Sequence, residues 1–397
     1  MLNITRQGVY YKNNAFVPVQ DGPAAGLPAP EEAKKGTMAY SILKAHNTSD
    51  SMDSLAIKFD AMASHDITYV GIIQTARASG MKEFPLPYVL TNCHNSLCAV
   101  GGTINEDDHV FGLSAAKKYG GEFVPAHQSV IHSYMRERYA APGKMILGSD
   151  SHTRYGAYGT MAIGEGGPEL ARQLLEKTYN ISYPKVIAIY LTGTPIPGVG
   201  PQDVALELIR STFKDGTVKN AVMEFFGPGV ANLSMDYRSG IDVMTTETTC
   251  LSSVWVADDT LKDHLAVLGR GGEFKPQAPA DGAYYDGVIH VELDKIRPMI
   301  ALPFHPSNAY TIQEFKENMA DLLHQVDEDT MHQLKLKSKP ASLLDKIVDG
   351  KFMVDQGVIA GCSGGTYQNI VRAAQVLDGH AIGSDAFWLS VYPTSQP

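Results

Sequence analysis

The chain contains little cysteine and no long apolar run. Four cysteines among 397 residues are too few for a disulfide scaffold, so we interpret them as reduced thiols, ligands or core residues. No apolar stretch approaches the ~20 residues of a membrane span, and residues 1–16 contain no apolar segment of the secretory type. We therefore expect a cytoplasmic protein without a membrane partner.

Two further classes of protein are disfavoured by what is missing. The formal net charge is −10 and no basic stretch is interleaved with aromatic residues, so nucleic acid is not expected as a partner. No GxGxxG or GxxxxGK[ST] motif follows a predicted strand, which argues against a plain nucleotide-binding protein. The composition, 44% apolar and 19% charged, is that of a globular chain with room for two or three domains.

Short apolar runs alternate with helical patterns along the chain. The predicted strands are residues 70–73, 88–90, 144–147 and 186–191, and the predicted helices are 113–119, 129–139, 169–179 and 203–212. This alternation favours an α/β fold with largely parallel sheets and covering helices. A Pro/Gly cluster at 192–198 predicts a domain boundary, and the stretch at 271–287, rich in Gly, Pro and Ala, predicts a linker.

The most informative stretch is GSDSHTRYGAYGTMAIGEGG, residues 148–167, which we call the signature segment. Asp150, Ser151, His152 and Thr153 place a carboxylate, two hydroxyls and an imidazole on consecutive residues after a predicted strand. Open α/β sheets bind their ligands at this end of their strands. The alternative is a turn in which the Asp and Ser side chains cap the next helix.

Cys362 is the best candidate for a metal ligand. It follows the apolar run 358–360 and precedes two glycines and a helical pattern over 367–377. A thiol between a strand and a helix N-terminus is favoured as thiolate, because the helix end is electropositive. The alternative is a small buried residue at a tight turn.

These motifs resemble the aconitase superfamily of iron–sulfur hydro-lyases. Besides the signature segment, five stretches fall in the family's order, namely residues 116–121, 130–132, 226–230, 244–247 and 359–363. The similarity is greatest to the bacterial putative hydratase branch. It implies three-layer α/β/α domains, here bounded as residues 1–192, 193–287 and 288–397, with the third incomplete.

The resemblance implies an enzyme that adds or removes water at a small polycarboxylic hydroxy acid through a [4Fe–4S] cluster. Three irons of such a cluster are held by cysteine thiolates, and the fourth binds the substrate. Cys362 matches one ligand. The family's other two ligands form a Cys-x-x-Cys pair further along, followed by a swivelling domain that supplies the base. We therefore expect a C-terminally truncated polypeptide, inactive alone, whose swivel domain comes in cis or on a second chain.

The resemblance assigns catalytic roles to Asp150, His132, His152, Glu247 and His94. The resemblance also pairs Asp150 with His132 and His152 with Glu247. A carboxylate raises the pKa of a neighbouring imidazole and fixes its tautomer, which suits proton donation or orientation. Taken alone, His132 suits a satisfied core histidine and Glu247 a solvated loop acid.

Substrate contacts are implied for His65, Ser151, Thr153 and Arg154. Arg154 also suits a surface position. His65 stands where the family often has a substrate-binding glutamine, so it departs from the family's pattern.

Further departures surround the expected pocket. The family's Cys-Asp-His reads Cys93-His94-Asn95 here, which places a histidine in the slot of the acid. Val243 replaces a common asparagine. These changes predict a substrate other than citrate, although His94 also suits a histidine packed beneath the sheet.

The remaining cysteines are expected to be structural. Cys93 and Cys98 are spaced Cys-x4-Cys and match a different family segment, and Cys250 is expected in the core. Two alternatives stay open. A large subunit of the isopropylmalate dehydratase type would retain the Cys-x-x-Cys pair, and an RNA-binding apo-aconitase relative fits the acidic charge poorly.

Overall fold

The computed structural model describes residues 2–94, 103–338, 340–383 and 387–396, so Asn95 and Cys98 lie outside the described residues. The strands, in chain order, are β1 (Leu2–Thr5), β2 (Val9–Lys12), β3 (Ala15–Pro18), β4 (Ser54–Ile57), β5 (Ala61–His65), β6 (Tyr88–Thr91), β7 (Glu122–Val124), β8 (Met145–Gly148), β9 (Met161–Gly164), β10 (Tyr179–Ser182), β11 (Val186–Thr192), β12 (Val222–Phe226), β13 (Ser252–Trp255), β14 (Ala283–Tyr285), β15 (Gly287–Glu292), β16 (Met299–Ala301), β17 (Ala309–Thr311), β18 (Ile347–Val348), β19 (Lys351–Phe352), β20 (Gln356–Ile359) and β21 (Trp388–Val391). The helices are α1 (Pro30–Ala33), α2 (Met38–His46), α3 (Asp66–Ala78), α4 (Thr103–Tyr119), α5 (Ile131–Arg138), α6 (Gly167–Leu174), α7 (Pro201–Thr212), α8 (Met235–Met244), α9 (Asp259–Val267), α10 (Ile312–Glu317), α11 (Met319–Gln333), α12 (Gly361–Gly364) and α13 (Tyr367–Leu377).

The first sheet consists of five parallel strands in the order β7-β6-β5-β8-β9. Its side chains alternate between two apolar layers. Met62 and Leu147 pack with α3, α4 and α6 on one face, whereas Ala63 and Ile146 pack with α5 on the other. Burial on both faces explains why these strands read as short continuous apolar runs.

Parallel pairing brings the carboxyl ends of neighbouring strands to one edge of this sheet. β5 lies between β6 and β8. β5 ends at His65, the segment after β6 contains Cys93 and His94, and the segment after β8 contains Asp150. Three segments that are distant in sequence therefore meet at this edge.

The second sheet has the order β1-β15-β11-β12-β13, with β1 antiparallel to β15 and the other pairs parallel. Leu43 of α2 and Val222 belong to the apolar layer on one face, and Leu208 of α7 and Phe225 to the layer on the other. The proposed boundaries near residues 192 and 287 coincide with the end of β11 and the start of β15. This sheet therefore takes strands from all three proposed segments.

The predicted fold class, α/β with largely parallel sheets, is confirmed. Each of the two large sheets lies between layers of helices, which is the three-layer arrangement expected from the resemblance. Among the helices of the described residues, none combines the length and the apolar character that a membrane crossing needs.

Beyond β15 the chain forms smaller units. β16 pairs with β17 and β18 with β19, both antiparallel, around a small core that includes Leu302, Phe315 and Leu323. β20 and β21 are parallel neighbours, with α12 and α13 between them in the chain. The one-turn helix α12 follows β20 directly and contains Cys362.

Three local predictions differ from the structure. Residues 70–73, predicted as a strand, lie in α3, because a short apolar run cannot be assigned to strand or buried helix by periodicity alone. The helix predicted over 169–179 ends at Leu174, since Glu176 has a positive φ of 58°, and β10 follows. The predicted linker at 271–287 includes β14, which pairs with β2.

Arg238 fixes helix α8, which leads into the segment with Glu247. Its guanidinium is 0% exposed, lies 2.7 Å from Asp258 Oδ2, and donates to the carbonyl oxygens of Leu233 and Val230. These bonds hold the start of α8 against the preceding turn. Loss of one partner of a buried ion pair leaves an uncompensated charge.

We predict that Arg238→Met lowers the free energy of unfolding by about 3 kcal/mol, because Asp258 and two carbonyl groups lose their partner. Urea denaturation followed by circular dichroism measures the change. Arg297→Met, which removes an exposed guanidinium, is the control and should change stability by no more than ~0.5 kcal/mol. Equal stability of the two variants would contradict the role of Arg238.

Candidate active site

The signature segment begins with a tight turn after β8. The backbone N–H and the hydroxyl of Thr153 both donate to the carbonyl oxygen of Asp150, at 3.1 and 2.7 Å. A Cβ atom on Gly148 would overlap the Thr153 hydroxyl, and one on Gly164 would overlap the Asp150 carbonyl oxygen. Glycine at these two positions therefore lets the turn close, and the turn aims Asp150 at the sheet edge.

Asp150 lies among four imidazoles. Its Oδ1 accepts from the backbone N–H of His152 at 2.7 Å and lies 3.1 Å from His132 Nε2. Its Oδ2 lies 3.4 Å from His94 Nε2 and 3.6 Å from His65 Nε2. The Asp150 side chain is 13% exposed, so these neighbours replace most of its water.

These contacts determine the charges at the sheet edge. Burial disfavours the ionised form of Asp150, but hydrogen bonds from the imidazoles outweigh it and hold its pKa far below the usual range. Hydrogen bonds with Asp150 and Cys93 raise the pKa of His94 to about 10. Burial and the charge on His94 lower the pKa of His65 to about 4. At neutral pH His94 is therefore a cation and His65 is neutral.

His152 and Glu247 form the second expected pair. His152 Nε2 lies 2.8 Å from Glu247 Oε1, and Nδ1 lies 3.2 Å from the hydroxyl of the exposed Ser151. Asp150 and Glu247 raise the pKa of His152 to about 9, and His152 in turn lowers the pKa of Glu247. His152 thus holds a proton at neutral pH on a side chain that is 34% exposed.

His132 is buried on α5 and acts through Asp150. Its Nε2 faces Asp150 and its Nδ1 lies 3.4 Å from the hydroxyl of Tyr155. Burial lowers its pKa even though Asp150 opposes the shift, so the ring is neutral at neutral pH. The expected pairing with Asp150 is present, and the geometry makes His132 a positioning residue.

Two residues predicted to contact substrate are buried and bonded to the backbone. Thr153 is 0% exposed and its hydroxyl closes the turn. Arg154 is 4% exposed and donates to the carbonyl oxygens of Thr153 and Cys250, at 2.9 and 3.0 Å. Contact of Thr153 and Arg154 with a ligand stays a prediction, and in this structure both side chains have backbone partners instead. Ser151, whose carbonyl accepts from the Thr246 hydroxyl, keeps an exposed side chain.

Cys362 shares this region with the signature segment. Arg136 Nη1 lies 3.5 Å from its carbonyl oxygen, and Asp150 and Cys93 are close enough for their charges to act on its thiol. Burial raises the pKa of the Cys362 thiol, and Arg136 opposes this only in part. The neutral thiol of Cys362 is therefore favoured in this structure, in contrast to the expected thiolate, because desolvation outweighs the charge of Arg136.

The described residues do not bring three thiols together for a [4Fe–4S] cluster. Cys362 and Cys93 approach the site, whereas Cys250 is 5% exposed in the core, as expected, and its thiol donates to the carbonyl oxygen of Thr245. Cys98 lies outside the described residues. Within the described ranges the donor set is therefore incomplete for the cluster.

Sequence reasoning missed several residues at the site. Asp66 accepts from the backbone N–H of His94 at 3.1 Å and lies 3.2 Å from His109, which fixes the segment after β6. His305 Nε2 lies 3.6 Å from Glu247 Oε2. Arg136 Nη2 donates to the Arg154 carbonyl oxygen at 3.2 Å. Asp66 directly follows His65 in the sequence and was within reach of sequence analysis, whereas the others have no local signal.

The arrangement suits acid chemistry on an anionic ligand. His94 and His152 are cations at neutral pH and both are partly exposed. Charged imidazoles bind carboxylate oxygens strongly, and a positioned imidazolium can give a proton to a leaving oxygen. The site therefore combines anion binding with proton donation.

Comparison with known proteins identifies the family of this chain. The family model described as "Aconitase family (aconitate hydratase)" matches residues 40–397. The chain belongs to the aconitase family.

Three relatives are mitochondrial aconitate hydratases. The chain is 29% identical to that of Schizosaccharomyces pombe over 340 residues, which cover 81% of this chain and 39% of the relative. It is 30% identical to that of Gracilaria gracilis over 340 residues, covering 81% and 40%. It is 32% identical to that of Aspergillus fumigatus over 280 residues, covering 66% and 35%. The chain thus spans less than half the length of these relatives.

We predict that Glu247→Gln lowers the pKa of His152 from about 9 by roughly 1 unit, because a neutral amide no longer stabilises the imidazolium while Asp150 remains. The protonated fraction in mildly alkaline solution should fall accordingly. An NMR titration of the His152 ring measures the shift.

The control is Glu273→Gln, which removes a carboxylate paired with Arg270 and Lys144 instead of a histidine. It should leave the His152 titration unchanged. A His152 pKa that is the same in Glu247→Gln and in the unaltered chain would contradict the pairing.

Proposed function

We propose that this chain is part of a hydro-lyase that adds or removes water at a small polycarboxylic hydroxy acid. The observation that carries the proposal is the contact of His152 with Asp150 and Glu247, which keeps a proton on a partly exposed imidazole at neutral pH. Departure of a hydroxyl as water needs such a positioned acid. Membership of the aconitase family supports the same reaction class.

Dehydration breaks a C–H bond beside a carboxylate and the C–O bond on the adjacent carbon. The electron pair of the C–H bond becomes the second bond of the alkene, and the hydroxyl takes a proton and leaves as water. We assign delivery of that proton to His152 Nδ1, which faces the exposed Ser151 hydroxyl. Glu247 anchors Nε2 and so fixes the ring for the transfer.

Substrate recognition is assigned to the positive charge and the exposed hydroxyl at the site. The charges near His94 and on His152 would attract carboxylate groups, and the Ser151 hydroxyl would donate to one of them. His65 and His94 depart from the family's pattern and both face Asp150. This supports a substrate other than citrate and placement in the putative hydratase branch.

The remaining catalytic groups are proposed to come from the part of the relatives that the match does not cover. A swivel domain, in cis or on a second chain, would supply the base that takes the C–H proton. In that whole enzyme Cys362 would be one ligand of a [4Fe–4S] cluster, which supplies a Lewis acid for the hydroxyl when bound. The chain alone is then expected to be inactive. A cytoplasmic location stays a prediction, since the relatives named above are mitochondrial.

In the intact enzyme we predict that His152→Ala lowers kcat by about 10²–10⁴-fold, because the leaving hydroxyl loses its acid. The absorbance of the cluster should not change. Turnover is followed by the ultraviolet absorbance of the conjugated alkene, over a panel of α,β-unsaturated di- and tricarboxylates.

His324→Ala, at an exposed position of α11, is the matched control and should keep full activity. Unchanged turnover in His152→Ala would rule out the role of that imidazole. Failure of the unaltered enzyme to hydrate any member of the panel would overturn the proposed reaction class.

A further inference from the structure

We propose that His65, His94 and Asp150 form a binding site for one divalent transition-metal ion. The inference goes beyond the proposed function, and binding can be measured without turnover. An ion at this site would replace the proton on His94, so the site would exchange one positive charge for another. The three side chains follow three neighbouring strands, β5, β6 and β8, and one ligand atom from each lies within 4.8 Å of the others. Two histidines and one carboxylate with open positions are a recurrent ligand set for non-haem metals.

The spacing of the ligand atoms suits coordination better than hydrogen bonding. Asp150 Oδ2 lies 3.4 Å from His94 Nε2 and 3.6 Å from His65 Nε2, at or beyond the outer limit of a hydrogen bond. A tetrahedral zinc site with bonds of about 2.0–2.2 Å has ligand-to-ligand edges of roughly 3.4 Å. The two edges that involve Oδ2 therefore match the expected separation.

The two oxygens of the Asp150 carboxylate have different partners. Oδ1 is held by the backbone N–H of His152 and by His132 Nε2. Oδ2 faces only toward His65 and His94 among the contacts described for it. An anchored carboxylate with one oxygen directed at two imidazole nitrogens is the form that binds a metal through a single oxygen, with its orientation set by outer hydrogen bonds.

The Nε2 atoms of His65 and His94 both face Asp150 Oδ2. His94 Nδ1 lies 3.2 Å from the sulfur of Cys93, which leaves Nε2 directed at Asp150. His65 is 5% exposed, its Nδ1 has no hydrogen-bond partner among the described residues, and its Nε2 is beyond hydrogen-bonding distance of Asp150. A cation bound at Nε2 would give that nitrogen a partner at closer range than Asp150.

The ligand atoms and the exposure of the site indicate which metal ion it would bind. Imidazole nitrogens with one carboxylate favour Zn²⁺ or Fe²⁺ over Mg²⁺ and Ca²⁺, which prefer oxygen ligands. The His94 side chain is 35% exposed, so the open coordination positions lie on the accessible side. A water molecule or another oxygen ligand would fill them. This site uses nitrogen and oxygen donors, and it is therefore distinct from a thiolate site at Cys362.

The test is metal binding by the 397-residue chain after removal of metals with a chelator. Zn²⁺ is titrated by calorimetry, and Co²⁺ by its visible absorption, which reports coordination number. We expect one ion per chain and at least a tenfold loss of affinity in His65→Ala, His94→Ala and Asp150→Asn. X-ray absorption of the Zn²⁺-loaded, unaltered chain should show nitrogen and oxygen ligands only, and this measurement does not depend on the folding of any variant.

His46→Gln is the matched control, because it breaks another histidine–aspartate contact, 2.9 Å long, with Asp60. His46→Gln and Cys362→Ser should both bind one ion with unchanged affinity. The proposal is overturned if the unaltered chain binds no ion, if sulfur appears among the zinc ligands, or if Cys362→Ser loses the ion while His65→Ala keeps it.

Discussion

The need to stabilise the negative charge of one nearly buried carboxylate determines how the edge of the first sheet is built. Removing an ionised carboxylate from water costs several kcal/mol, so Asp150 requires close donors on all sides. Its neighbours come from the end of β5, the segment after β6, helix α5 and the signature turn itself. One side chain therefore fixes four parts of the polypeptide relative to each other. The glycines beneath the turn are a condition for this, since a side chain there would push Asp150 out of reach.

The two sides of Asp150 differ in chemistry. On the Oδ1 side, His152 is protonated and paired with Glu247, which suits transfer of a proton. On the Oδ2 side, the rings of His65 and His94 lie with centroids 3.9 Å apart, and this pair suits an electrophilic cation. An acid and an electron-withdrawing centre on opposite oxygens of one carboxylate are complementary, because loss of a hydroxyl needs both.

Much of the fold and part of the site could be predicted from the sequence. The strands β6, β8 and β11 are apolar runs of the expected length, and the pairing of His152 with Glu247 followed from a family pattern. The order of strands could not be predicted, because hydrophobic runs do not encode which strand lies beside which. The backbone contacts of Thr153 and Arg154 could not be predicted for a related reason. Polar residues in a loop can point to a ligand or to backbone carbonyls, and burial alone decides between them.

Arg136 has a further consequence. Its guanidinium reaches two separate loops through the carbonyl oxygens of Arg154 and Cys362, and not through their side chains. Backbone acceptors are the same for every amino acid. A different side chain at position 362 would therefore leave the bond from Arg136 to this segment intact. The chemical group at position 362 can change during evolution while the position of the backbone is retained.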